Sequence, residues 1–166
     1  LEMDAHYFTA YSYKKLLDGL PNAKLIDSER LVNWARVVKS DAEINLMKKA
    51  SKITELGMKK AFEFIKPGVR QNDLVSEIAG TLIKGTNEYG GDYSAIVPLL
   101  PTGKGTSASH LTWSDNKFVE GEATIIELSG VYRRYHCPMA RTVLLGKPDQ
   151  KKIDTMKKTI EALHAG

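Results

Sequence analysis

Residues 123–145 limit what this chain can fold into more than any other stretch. Residues 123–128 alternate as a strand does, with Ile125 and Glu127 on one face and Thr124, Ile126 and Leu128 on the other. Residues 131–136 and 141–145 continue as a hairpin, and Pro138 marks a bulge or an edge because it has no N–H for a ladder. The discordant residue is Glu127. A carboxylate among buried apolar neighbours is costly unless it is paired or hydrogen-bonded. Its partner is either a guanidinium of the same stretch (Arg133, Arg134 or Arg141) in a structural pair, or a cation that sits opposite it.

Upstream the apolar period lengthens from two residues to helical spacing. Residues 11–20 predict a short helix stopped by Pro21, residues 24–27 a short strand, and Ser28 the cap of a helix running to Val38. Ser40-Asp-Ala-Glu43 has capping-box spacing and opens a long helix. Ile44, Met47, Thr54, Met58, Ala61 and Ile65 recur on its inner face, and Pro67-Gly68 ends it. A third helix covers residues 72–84. Residues 93–100 form a β-prone run closed by Pro101, residues 102–106 a glycine-bearing loop, and a last helix begins near Pro148. Helices followed by strands predict an α+β fold rather than a doubly wound sheet. Residues 1–39 read as the end of one domain with its linker helix, and residues 40–166 as the beginning of another.

A hydrophobic content of 42% over 166 residues is enough for one domain core. The net charge is only +4, and the lysines sit on solvated helix faces without interleaved aromatics, so no nucleic-acid groove is expected. The single cysteine, Cys137, excludes an internal disulfide, and no zinc-type ligand cluster is present. No run is long enough to span a membrane and no signal peptide stands at Leu1, so no membrane partner and a cytoplasmic location are expected. The chain opens without Met, as a piece of a longer protein would.

Among residues able to carry chemistry, His110 ends a Gly/Thr/Ser loop, where it serves either as a general base or as an ordinary hydrogen-bonded side chain. His136 either donates to a substrate or satisfies backbone groups. Tyr93 and Trp113 are either walls of a pocket or core. His6 and His164 are given no role. There is no G-x-S-x-G elbow, Gly103-Lys-Gly105 lacks the strand–loop–helix context of a phosphate loop, and Cys137, followed by proline in an apolar setting, is a poor nucleophile.

Arg36-x-x-Lys-Ser-x-x-Glu-Ile44, Pro67-Gly68-Val69, His110, Gly121 and the frame from Glu127 to Arg141-Thr142 resemble the creatinase/prolidase, or pita-bread, family, which includes methionine aminopeptidases and Xaa-Pro peptidases. The resemblance runs from about residue 30 to the end. In the family's metallopeptidases two aspartates of this frame bind two metals. Counting back from Arg141, the first falls on Glu127 and the second on Pro138, which has no donor atom. The segments at residues 2–9, 91–101, 110–113 and 127–142, above all Arg133-Arg-Tyr-His-Cys-Pro138, are similar to the ectoine-hydrolase branch of the family.

That resemblance implies a pita-bread catalytic domain of which this chain holds the first half, the other half supplying further site residues. It implies hydrolysis of a C–N bond in a small cyclic amidine, ectoine, by His110 and Glu127. Tyr93, Trp113, Arg133, Arg134, His136 and Arg141 are its candidate substrate-binding residues. It implies no cofactor and no metal cluster, Glu127 being the one position left open to a metal, a small zwitterionic substrate, and a homodimer. The alternatives are a metal-dependent Xaa-Pro dipeptidase or aminopeptidase, a creatinase-like amidinohydrolase, and a peptidase-like binding module without turnover.

Overall fold

A computed structural model describes residues 8–166; His6 and most of the 2–9 segment lie outside them. Contacts divide the chain into two units, the first ending at Ala42 and the second Glu43–Gly166. In the first, α1 (Ala10–Gly19) is capped by Thr9, whose hydroxyl accepts the Ser12 amide at 3.2 Å. Helix α2 (Leu31–Val37) starts three residues beyond Ser28. Asp27 Oδ1 accepts the Glu29 N–H at 3.1 Å, and Glu29 and Arg30 take φ of 49° and 60°, so the helix begins only at Leu31. Residues 24–27 form no strand; the sheet of the described residues is β-paired only between positions 123–132 and 135–144.

Helix α3 (Asp41–Phe64) follows directly on Ser40, and in the second unit it buries Ala50, Ile53, Thr54, Gly57, Met58 and Ala61. Helix α4 (Gln71–Lys84) buries Leu74, Val75, Ile78 and Leu82. Both faces close on Leu100, Phe118, Ile126, Leu128 and Leu145. Each such side chain, fully buried, contributes about 1.5–3 kcal/mol.

The hairpin comprises β1 (Ala123–Tyr132) and β2 (Tyr135–Leu144), joined by Arg133 and Arg134 at φ of 49° and 68°. Residues 131–136 are therefore two strand ends and a turn, not one strand. Arginine is a poor marker of a left-handed turn, which asparagine and glycine normally signal. The register runs unbroken from Ala123 opposite Leu144 to Tyr132 opposite Tyr135, so Pro138 makes no bulge. Glu127, Ile125 and Val131 spend their outward backbone groups on Leu99, Pro101 and Asp92. Alternation then places the Ser129–Pro138 pair where no ladder bond is exchanged, and the missing N–H is harmless. The 93–100 run is a loop, of which Leu99 bridges to Glu127; Thr102 bridges in turn to Thr124.

Where Gly130 and Cys137 face each other, α3 intrudes. Thr54 Oγ1 accepts the Gly130 N–H at 2.9 Å and donates to Cys137 O at 2.6 Å, with Ala50 O at 3.1 Å. A Cβ at position 130 would lie 2.6 Å from Ala50 O, so only glycine admits the helix this closely. Helix α5 (Gln150–Ala165) buries none of its residues and is capped by Asp149, one residue after Pro148. No helix among the described residues is long and apolar enough to cross a membrane.

Replacing Thr54 by valine leaves the buried Gly130 N–H and the partly buried Cys137 carbonyl without this partner. Unfolding free energy should fall by about 1–3 kcal/mol, read from the urea midpoint, while Thr54→Ser should recover most of the loss. The Lys152 amide, donating to Asp149 at 2.8 Å, holds that carboxyl below the ordinary aspartate range. A lowered folded value means that the cap is complete above the ordinary range and is lost as pH falls through the lowered one. Asp149→Ala should remove that acid step from the helical signal.

Candidate active site

The alternation expected of β1 is observed. Thr124, Ile126 and Leu128 are buried against the helices, while Glu127 stands half-buried on the other face. Its ion-pair neighbour is a histidine rather than an arginine: Glu127 Oε2 lies 3.9 Å from His110 Nε2, with the side chains 33% and 73% exposed. A pair so open to water adds little to stability. Both groups remain free to meet a solute.

Local backbone structure delivers His110 to this point. After Pro101 a single 3-10 turn, Gly103–Ser107, reverses the chain, and Ala108 N–H bonds back to Gly105 O at 3.1 Å. Beyond the histidine, Leu111 O accepts the Leu100 N–H at 2.9 Å, fixing the return. His110 itself takes φ of 60°, a left-handed conformation that costs a non-glycine residue on the order of 1–3 kcal/mol. Such strain persists where surrounding contacts impose it. Leu99, Pro101, Ser109 and Ile125 join His110 and Glu127 around a cavity of about 410 Å3, within the range of small-molecule sites. Two larger hollows, of about 890 and 810 Å3, contain neither residue nor any other histidine, and chemistry favours the smaller one.

Directly opposed residues of a hairpin share a face. Glu127 is opposite Ala140 and Ser129 opposite Pro138, so positions 127 and 138 are diagonal neighbours on the cavity face. A second carboxylate at 138 would stand beside the first; proline offers no donor. Among the described residues no group of three or more His, Cys, Asp or Glu side chains could hold a metal ion. The donor set of this part of the protein, one carboxylate and one imidazole, does not fit a two-metal cluster.

The remaining candidates scatter. Arg141 stands opposite Ile126, on the reverse face from Glu127, and donates to Ala140 O at 2.7 Å. Trp113 packs against the core cluster. Arg133 is exposed at the turn. Arg134 donates to Tyr93 O at 2.8 Å and lies 3.9 Å from the centroid of its ring, while His136 accepts the Ala95 amide at 3.0 Å. Three contributors escape a reading of the sequence. Leu99 lines the cavity from what looks like a plain β run, and Ser109 is one small residue among several. Thr54 had a signal: a hydroxyl recurring among apolar positions on the inner face of a helix needs a buried partner.

The sequence model of metallopeptidase family M24 matches residues 45–166. The chain is 46% identical over its whole length to an ectoine hydrolase of Halomonas elongata, covering 43% of that protein. It is 40% identical over 98% of its length to the uncharacterized hydrolase/peptidase y4tM of Sinorhizobium fredii, covering 42% of it. It thus spans about two fifths of these relatives. An X-Pro aminopeptidase from Thermotoga maritima superposes with a TM-score of 0.83 at 21% identity, over 93% of this chain and 42% of that one. A prolidase from Pyrococcus horikoshii does so with 0.83 at 22%, over 97% and 44%. At such identities the likeness concerns the fold alone, and it is the α+β pita-bread fold that the sequence motifs imply. With the family model covering most of the chain and a relative near half identical along all of it, the chain belongs to metallopeptidase family M24.

Proposed function

We propose that this protein hydrolyses a C–N bond in a small cyclic amidine without a metal cluster, opening the ring of ectoine to N-acetyl-diaminobutyrate. The observation that carries the reading is the pairing of His110 with Glu127 on a hairpin face whose neighbouring ligand position is Pro138. The identity to an ectoine hydrolase supports the choice of substrate.

An amidinium is planar and cationic, and the Glu127 carboxylate matches it by charge-assisted hydrogen bonds that leave the central carbon electron-poor. His110 Nε2 takes a proton from water as the new C–O bond forms at that carbon. The imidazolium returns the proton to the departing ring nitrogen as the C–N bond breaks, the proton of the new hydroxyl passes to the freed amine as the carbonyl forms, and the ring opens to an amide and an ammonium group. The substrate carboxylate needs a cation, and Arg133, exposed at the hairpin turn, is the candidate; Arg141 is turned away. A homodimer of the complete enzyme in the cytoplasm belongs to the same reading.

Incubating the intact protein with ectoine, creatine and an Xaa-Pro dipeptide, each with and without chelator, separates the alternatives. Ectoine should be consumed at a rate indifferent to chelator; dipeptide cleavage abolished by chelator would install the metallopeptidase reading instead. His110→Ala should lower ectoine turnover by on the order of 10²-fold or more with an unchanged circular dichroism spectrum, and retained turnover would remove His110 from the mechanism. Pro138→Asp sets a second carboxylate beside Glu127, so calorimetry should find Mn2+ bound more tightly by that variant than by the parent.

A further inference from the structure

Residues 92–98 form a strap along the outer edge of β1. Both ends are tied to that edge: Asp92 N–H donates to Val131 O at 3.0 Å, and Leu99 exchanges two backbone bonds with Glu127 at 2.8 and 3.1 Å. Four residue steps of strand between those ties span roughly 13 Å, whereas seven residue steps of strap can reach roughly 23 Å. The surplus must bow outward, and the hairpin tip catches it. Arg134 N–H donates to Asp92 Oδ2 at 3.1 Å, its guanidinium holds Tyr93, and Ala95 N–H donates to His136 Nε2 at 3.0 Å.

A backbone amide can only donate, so Nε2 carries no proton and Nδ1–H is directed to Arg134 O, 3.2 Å away. His136 is opposite Val131, on the same face of the hairpin as Glu127. The middle of the strap is therefore held at Ala95 over the hairpin face that carries Glu127, with Tyr93, Ile96 and Val97 exposed by 75%, 57% and 51%. Its far end is Leu99, which lines the His110–Glu127 cavity.

We infer that His136 is a positioning residue, an Nδ1-protonated imidazole that fastens the 92–98 strap as a wall of the substrate site, and that Tyr93, Ile96 and Val97 on this wall select the substrate. The anchoring stands on geometry alone; its effect on turnover rests on the amidine-hydrolase reading. A leucine at 136 fills the space but cannot accept, and a glutamine offers Oε1 near the place of Nε2.

Nitrogen-15 spectra of the parent should show the Nδ1–H tautomer at His136, and amide exchange at Ala95 should quicken about five- to tenfold in His136→Leu. His136→Gln should restore most of the protection, with the Gly130 amide unchanged in all three proteins as the control for folding. An Nε2–H imidazole, or an Ala95 amide indifferent to His136→Leu, overturns the anchoring, and the tautomer decides it even if a variant fails to fold. With ectoine as substrate, His136→Leu should raise KM more than it lowers kcat; a fall in kcat at constant KM overturns the role as a wall. A parent that turns over no ectoine sinks the amidine reading and leaves the exchange and tautomer results to decide the strap.

Discussion

The Thr54 hydroxyl is the interaction on which the rest of the second unit depends. It replaces a direct bond between Gly130 and Cys137 with one that passes through α3, so the helix and both strands are held at a single point. Glycine at 130 makes the approach possible. Once that point is fixed, a slip of β2 by one residue would strip Thr54 of a partner and turn every side chain of the strand to the wrong face. The register that brings Pro138 beside Glu127 is thus enforced from the helix side as well as by the two-residue turn.

Helices α3 and α4, the inner face of β1 and the overall α+β order were legible because each rests on a periodicity long enough to be unambiguous. The turn was not. Arg133 and Arg134 adopt left-handed conformations without the residues that normally announce them, because contacts at the tip, Arg134 with Asp92 and Tyr93, compensate a local preference that points elsewhere. The same holds for His110, whose strained backbone no composition reveals. Glu127 was legible as an anomaly, but its partner was not: the arginines adjacent in sequence point away or outward, and the histidine seventeen positions upstream arrives through the 3-10 turn.

One carboxylate and two carboxylates on this face invite different chemistry. A pair of acidic groups at diagonal positions repel each other unless cations lie between them, and peptide hydrolysis then uses the cations. In the proposed reaction a lone carboxylate beside proline has no such need, and the cation that meets it is the substrate itself. An amidinium brings its own electrophilic carbon to the charge that binds it, so the same contact serves recognition and activation. A neutral peptide bond would gain neither.

The two histidines of this region differ in what their nitrogens are free to do. His136 has both committed, one to the Ala95 amide and one to Arg134 O, which makes its ring a fixed piece of scaffold. At His110 the pairing with Glu127 is loose, at 3.9 Å, and the ring is mostly exposed, so the carboxylate steadies it without capturing it. A proton carrier must lose and regain its proton as the reaction runs, which a ring bonded on both sides does only by breaking what it holds. Satisfaction of hydrogen bonds, rather than nearness to Glu127 alone, is therefore what favours His110 over His136 for the acid–base work of the proposed reaction.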